Sequence, residues 1–214
     1  MSSQTQEPAG KAGIAVAPEN KPTGKKRSTG IVGLNLLLDG GYPPGTIIML
    51  HGTAVSGVDI AAMQFFGADE EDGTYVRAED IINHEKDRTA PIKPEMFLMQ
   101  IDGGRIVLDS LTAIIERYGI DDALRLVRLL RDDVAKTGAN LVFMVFSGIH
   151  SPMEMTKIMR ESDIVIELKL HEGQSDLERT LSVQKIKGAM APQRMLPFII
   201  TEKGIEASTT SRVV

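Results

Sequence analysis

Hydrophobic positions along the chain alternate between short continuous apolar runs and longer stretches with a helical period. The apolar run 46–50 follows a Pro-Pro-Gly turn and leads through a glycine-containing loop into the apolar stretch 59–66. This order predicts a strand, a loop and a helix. Further apolar runs predict strands at 74–77, 105–108, 140–146, 164–170, 180–187 and 197–201.

Two helices are predicted between these strands. Over 121–136, one face carries Leu124, Val127, Leu130 and Val134, and Gly138 follows near the helix end. Segment 151–154 combines a capping box with proline at the first helical position, which predicts a helix through residue 159. Alternating helices and apolar strands indicate an α/β fold whose sheet is parallel in its first part and covered on both faces.

The loop after the first strand has the glycine spacing of a phosphate-binding loop, with Gly52 and Gly57 five residues apart. A working loop of the form G-x-x-x-x-G-K-[ST] cradles phosphate with backbone N–H groups, adds a lysine, and holds Mg²⁺ with a hydroxyl. Here Val58 and Asp59 occupy the lysine and hydroxyl positions. A carboxylate near phosphate costs about 4 kcal/mol at ~4 Å and an effective dielectric of ~20, against roughly 8 kcal/mol for micromolar binding.

No nearby cation replaces the missing lysine, because residues 28–75 contain neither lysine nor arginine. The same segment contains six acidic residues, namely Asp39, Asp59, Asp69, Glu70, Glu71 and Asp72. A replacement charge must therefore come from far along the chain or from another subunit.

Composition excludes several other classes. The net charge of −5 and the low content of aromatic residues argue against nucleic acid as a partner. The absence of cysteine excludes disulfides and thiol catalysis, and the absence of a long apolar run argues against a transmembrane helix or a membrane partner. The first residues lack the pattern of a signal peptide, so we expect a cytoplasmic protein.

The chain divides into a predicted tail and one domain. Residues 1–27 lack a hydrophobic period, are rich in small and polar residues, and end in the basic cluster Lys25-Lys26-Arg27. They predict a disordered, solvated tail, with contact to an acidic partner or a membrane surface as the alternative. Residues 28–214 form the predicted domain.

Several segments, taken in order, resemble the KaiC-like branch of the RecA-type P-loop ATPases. They are the entry segment 28–45, the segment Tyr75-Val-Arg-Ala-Glu79-Asp80, the Walker B-like segment Arg105-Ile-Val-Leu-Asp109, and the closing segments 183–189 and 199–206. The resemblance implies a RecA-like three-layer sandwich with a mainly parallel sheet and antiparallel closing strands near the C-terminal end.

The resemblance also implies roles for individual residues. It places the water-activating acidic pair on Glu79 and Asp80 and the Mg²⁺-supporting aspartate on Asp109. Lys185 and Lys187 take the place of basic residues that reach a neighbouring subunit's nucleotide. The phosphate loop itself comprises Gly52, Ser56, Gly57, Val58 and Asp59, and it is degenerate at its last two positions. The segment between Asp80 and Arg105 is shorter than in the family.

Each of these residues also has a structural interpretation. Gly52 and Gly57 serve a tight turn that needs positive φ, and Asp59 stabilises a helix N-terminus. Asp109 caps the helix that begins near Ser110, and Glu79 and Asp80 lie in a solvated loop. On their strand, Lys185 and Lys187 face solvent. Met153, Met155 and Met159 fill the core or form an adaptable binding face, and His51 has no evident metal-ligand partners, so no metal is assigned.

Three functional hypotheses remain. The first is a catalytically inactive pseudo-ATPase that needs no cofactor and works in regulation or assembly through a protein partner or self-association; the resemblance suggests signal transduction. The second is an ATP- and Mg²⁺-binding ATPase completed in trans by another subunit or an active paralogue. The third is an enzyme with a non-phosphate substrate, for which the sequence shows no nucleophile–base constellation.

Overall fold

The computed structural model describes residues 24–207, apart from residues 86, 88, 174 and 175. The predicted disorder of the tail concerns residues that, up to 23, lie outside this part. The strands are β1 (Ile47–Gly52), β2 (Gly73–Arg77), β3 (Arg105–Asp109), β4 (Asn140–Phe146), β5 (Ile164–Glu172), β6 (Leu177–Ile186), β7 (Leu196–Thr201) and β8 (Gly204–Ala207).

Helices connect the strands of the first part. They are α1 (Val32–Leu37), α2 (Val58–Phe66), α3 (Ala78–His84), α4 (Pro94–Leu98), α5 (Leu111–Tyr118), α6 (Ile120–Thr137) and α7 (Pro152–Glu161), with a short 3-10 helix at Ala68–Glu70. Between Asp80 and Arg105, where the sequence left a full helix and strand in doubt, the described residues form the rest of α3 and the five-residue α4 but no strand. Among the helices of the described part, none is both long and apolar enough to cross a membrane.

All eight strands form one sheet in the order β2-β3-β4-β1-β5-β6-β7-β8. The first five strands in this order pair in parallel, and β6, β7 and β8 each pair antiparallel with the strand before them. The predicted fold class, an α/β sandwich with a mainly parallel sheet and antiparallel closing strands, is confirmed. Since β4 lies between β1 and β3, the loop after β1 and the end of β3 meet across one intervening strand.

Two apolar clusters cover the two faces of the sheet. The first contains Met49, Val145 and Val165 with side chains of α3 to α7, and the second contains Leu50 and Ile166 with side chains of α1 and α2. Strands buried on both faces are continuous apolar runs, as β1 and β4 are. The carboxyl ends of the parallel strands therefore meet at one edge, between two layers of helices.

The basic cluster before residue 28 lies partly on the domain. Arg27 exchanges two backbone hydrogen bonds with Tyr42, both 2.8 Å, and its side chain donates to Glu71 and to the carbonyl of Gly138. Lys26 donates to the carbonyls of Leu38 and Asp39 after α1. These two residues, which the sequence places in the tail, thus tie the start of the described chain to several elements.

Candidate functional site

The loop with the glycine spacing of a phosphate loop joins β1 to α2 at the carboxyl edge of the sheet. Gly57 is the N-cap of α2 with φ 95°, a left-handed conformation that favours glycine, so its predicted positive φ is present. Gly52 serves a different purpose. Its ideal Cβ would lie 2.4 Å from both the carbonyl oxygen of Leu168 and Oγ of Ser56, so close packing rather than positive φ requires glycine there.

Ser56 closes the loop on itself. Its backbone N–H donates to the carbonyl of Thr53 at 3.0 Å, and its hydroxyl donates to the same carbonyl at 2.7 Å. The side chain is fully buried. Both donors of Ser56 are therefore used within the turn rather than offered to a ligand.

Val58 and Asp59 differ in their environments. Val58 belongs to the second apolar cluster and is 1% exposed, so the position that carries the lysine of a working loop is part of the core here. Asp59 is exposed in the first turn of α2, where the helix dipole favours a carboxylate. This placement agrees with the structural interpretation of Asp59.

Asp109 at the end of β3 accepts a hydrogen bond from the hydroxyl of Tyr75 at 3.0 Å. Burial raises the pKa of Asp109, and the charges of Glu79 and Asp59 raise it further, while Tyr75 and Arg77 oppose them. The pKa of Tyr75 is raised as well, first by burial and then by the charge of Asp109. Asp109 and Tyr75 are therefore in direct contact at this edge, and the charge of Asp59 acts on the pKa of both.

Asp109 does not cap the helix that follows it, contrary to the structural interpretation. Ser110 is the N-cap of α5, and its Oγ accepts from the N–H of Ala113 at 3.3 Å. The reason is that a cap needs extended backbone immediately before the first helical residue, and that residue is Leu111. The carboxylate of Asp109 is thus available to the site.

Arg77 is the site residue that the sequence did not reveal. It ends β2 and is paired in register with Asp109, and its charge lowers the pKa of that carboxyl. Its guanidinium lies 3.8 Å from Asp80 and is largely exposed. The available signal was its position, since Arg77 is the first cation after the loop and ends a predicted strand.

Glu79 and Asp80 lie in the first turn of α3, not in a loop, and both are exposed. The helix begins directly after β2, so it carries these carboxylates at the same edge as Asp109. The loop, the acidic pair and Asp109 therefore lie at the same edge of the sheet.

Lys185 and Lys187 lie at the opposite edge of the sheet. Lys185 pairs in register with Val165 near the start of β5, whereas the phosphate loop follows the end of β1. The Lys185 ammonium donates to the carbonyls of Met159 and Ser162 at 2.8 and 2.6 Å, so it is not the solvent-facing residue expected. Lys187 is 57% exposed, 4.0 Å from Asp163.

The remaining candidates occupy separate positions. Met155 and Met159 pack against the first apolar cluster, as core filling predicts, whereas Met153 is 71% exposed. His51 is buried on β1. Within the ranges that the structure describes, no group of three or more histidine, cysteine or acidic residues is arranged to hold a metal ion.

The strand order, the loop between β1 and α2, and the antiparallel strands that close the sheet define a protein with a RecA-type, KaiC-like fold. A crystal structure of a KaiC-like protein from Pyrococcus horikoshii superimposes with a TM-score of 0.67 at 24% identity, covering 86% of this chain and 98% of that one. This likeness shows the fold.

The chain belongs to a family of unknown function, DUF7125, whose model matches residues 26–212. It is also similar to two curated proteins described as UPF0273 proteins. The one from Thermotoga maritima is 25% identical over 229 residues, covering 85% of this chain and 95% of that protein. The one from Aeropyrum pernix is 25% identical over 225 residues, covering 83% and 91%.

Proposed function

We propose that this protein is a KaiC-like pseudo-ATPase that acts in regulation or assembly, in a signalling context, by associating with protein partners or with itself. The fold supports a RecA-type ancestry, and the loop supports loss of nucleotide turnover. Cytoplasmic location is part of the same proposal.

The observation that carries this proposal is the burial of Val58 at the position where a working loop has lysine. Val58 has an aliphatic side chain that is enclosed in the apolar core, so it supplies neither the charge nor the hydrogen bond that a lysine gives to phosphate. Asp59 next to it adds a negative charge at the α2 N-terminus, where a working loop holds phosphate. A phosphate group would meet a carboxylate in place of an ammonium group, and repulsion opposes binding.

The remaining loop contacts support the same conclusion. Ser56 uses its N–H and its hydroxyl on the carbonyl of Thr53. The hydroxyl of Tyr75 donates a hydrogen bond to one carboxylate oxygen of Asp109, and the resemblance assigns Mg²⁺ support to this aspartate. Nucleotide binding here would require the hydrogen bonds of Ser56 and Tyr75 to break before their partners could contact nucleotide or Mg²⁺.

Titration calorimetry with ATP and ADP, with and without Mg²⁺, tests the proposal on the full chain. We expect no binding up to millimolar nucleotide. The matched variant Val58→Lys/Asp59→Thr restores the motif and should gain affinity if it keeps the loop geometry; Asp59→Thr alone leaves the core intact and isolates the charge effect. Micromolar, Mg²⁺-dependent binding by the wild type, with ATP turnover that Asp109→Ala abolishes, would refute the proposal.

A second candidate function is an ATPase with an unusual cation arrangement. Arg77 is next to Asp109 in register. Exposed Lys187 lies at the sheet edge opposite to the phosphate loop of its own chain, so under this alternative it acts on the nucleotide of a neighbouring subunit. This alternative predicts that nucleotide drives assembly of a homo-oligomer, or assembly with an active paralogue, and that Arg77→Ala or Lys187→Ala weakens it. Light scattering that gives the same mass with and without nucleotide would contradict it.

A further inference from the structure

Three polar side chains lie side by side at the carboxyl ends of β1, β4 and β5. His51 is paired in register with Val145 of β4 and with Glu167 of β5. Ser147 follows Val145 by two residues, and side chains two residues apart along an extended chain point to the same face. The three groups therefore share the face that carries α5 to α7, opposite to the face of α2.

His51 is placed to act as a base toward Ser147. Its ring is 4% exposed, and its Nδ1 lies 3.5 Å from the hydroxyl oxygen of Ser147. Nε2 is buried and has no hydrogen-bond partner in the part of the chain that the structure describes. When Nδ1 keeps its lone pair for the hydroxyl, Nε2 carries the proton, and this is the tautomer that a general base needs.

Glu167 supplies the negative charge beside this histidine. Burial lowers the pKa of His51, and the carboxylate of Glu167 opposes that shift. Glu167 is itself held by Lys169 Nζ at 3.0 Å and by Gln184 Nε2 at 2.9 Å, with only 17% of its side chain exposed. It acts as a positioning residue because its charge stabilises the protonated imidazole, without a hydrogen bond to either ring nitrogen and without touching a reacting atom.

The loop that carries Ser147 is fixed at both ends. The N–H of Ser147 donates to the carbonyl of Gly52 at 2.8 Å, and the N–H of Phe146 donates to Oγ1 of Thr112 at 3.0 Å. The hydroxyl of Thr112 is also 3.0 Å from Nε2 of His150. A nucleophile held in this way loses little conformational freedom when it reacts.

The residue after Ser147 offers a donor for a developing negative charge. Gly148 follows Ser147 directly, is exposed and has φ 87°, and its backbone N–H has no acceptor among the described residues. An N–H directly after a nucleophilic serine is a common oxyanion donor. Ile149 and Met153 are 53% and 71% exposed beside this loop, so an uncharged, apolar acyl group fits it best.

We propose that Ser147, His51 and Glu167 form a catalytic site for hydrolysis of small uncharged acyl esters. Ser147 Oγ bonds to the ester carbonyl carbon while its proton moves to His51 Nδ1. The carbon–alkoxide bond then breaks, and the alcohol leaves with that proton. Water attacks the acyl-serine, His51 takes the water proton and returns it to Ser147 Oγ, and the acid is released. This activity is independent of the fate of the phosphate loop.

A fluorophosphonate probe on the full-length protein tests the nucleophile directly, because it reports covalent reaction without a known substrate. Trypsin gives the peptide 137–157, which contains both Ser147 and Ser151, and fragmentation of this peptide separates the two. We expect labelling at Ser147 and its loss in Ser147→Ala. Ser151→Ala is the matched control, since Ser151 is exposed and its hydroxyl serves the capping box of α7.

Hydrolysis of p-nitrophenyl acetate and p-nitrophenyl butyrate tests the remaining roles. Ser147→Ala should lose the activity, Ser151→Ala should keep it within about twofold, and His51→Gln should lower the rate about 100-fold. Glu167→Gln should move the acidic limb of the pH–rate profile to lower pH, because it removes the charge that raises the His51 pKa. A wild type that is unlabelled at Ser147, or a folded Ser147→Ala variant that hydrolyses both esters at the wild-type rate, would overturn the proposal.

Discussion

Replacing Arg105 with methionine should destabilise the domain more than any loss of a surface charge. Arg105 begins β3, its side chain is fully buried, and its guanidinium joins four groups from three other parts of the chain. One nitrogen donates to the carbonyls of Ser28 and Phe65 at 2.8 and 2.9 Å, and the other terminal nitrogen donates to Asp69 at 2.7 Å. Nε lies 3.2 Å from Glu71.

The expected magnitude follows from what each partner loses. The buried carbonyl of Phe65 has no water to replace the donor, which costs about 2 kcal/mol, and the half-buried carbonyl of Ser28 costs about 1 kcal/mol. The guanidinium also lies 5.0 Å from the centre of the Phe65 ring, a contact worth about 1 kcal/mol. Asp69 is 59% exposed and returns to water, and Glu71 keeps its 2.7 Å bond to Arg27, so neither adds much.

The total loss is about 4 kcal/mol, which lowers the melting temperature of a domain of this size by about 8–16 °C. Urea denaturation followed by circular dichroism measures the change in unfolding free energy. Arg128→Met is the control, because Arg128 pairs with Glu161 at the surface, is 57% exposed, and should cost less than about 1 kcal/mol. Equal effects of the two substitutions, or a loss below about 1 kcal/mol for Arg105→Met, would refute the reasoning.

Two further predictions concern the candidate site and the opposite edge of the sheet. Burial raises the pKa of Asp109 in the folded state, so its charge opposes folding above that pKa. Asp109→Asn should therefore raise the melting temperature at pH 7. The gain should fade as the pH falls toward the ordinary aspartate pKa near 4, because the carboxyl group is then neutral in the folded and unfolded states alike. A loss of stability at pH 7 would contradict this sign. Lys185→Met removes the donor to the carbonyls of Met159 in α7 and of Ser162 directly after it, and should cost about 1–3 kcal/mol in urea denaturation. Lys187→Met, at an exposed pair, should cost under about 1 kcal/mol. A larger loss of unfolding free energy for Lys187→Met than for Lys185→Met would contradict this prediction.

Much of the fold follows from local pattern. The continuous apolar runs of β1 and β4 are strands, and the periodic stretch predicted at 121–136 is α6 at Ile120–Thr137. The capping box of Ser151 and Glu154 forms as predicted. These features depend on residues close together in sequence, so a single chain is enough to predict them. The short helices α1 and α4 carry weaker signals, since neither completes two turns.

The candidate site was predictable only in part. Gly52, Gly57 and Asp109 were predicted as site residues from motif spacing, which is local in sequence, and the structure places the loop and Asp109 at one edge of the sheet. Arg77 was missed because its closeness to Asp109 depends on the pairing of β2 with β3. The capping role given to Asp109 was wrong by one residue, since only the backbone at Ser110 shows where α5 begins.

The sequence by itself determined seven of the eight strands and the helices α2, α6 and α7 along the chain, and it placed Val58 and Asp59 where a working phosphate loop has lysine and a hydroxyl. Tertiary structure alone decided that Val58 is enclosed in the core, that Lys185 donates to the carbonyl of Met159 in α7, and that His51 and Glu167 pair in register on neighbouring strands. The physical reason is that residue type and spacing control local backbone preference. Register and helix packing, which depend on the whole chain, control which distant side chains share a face.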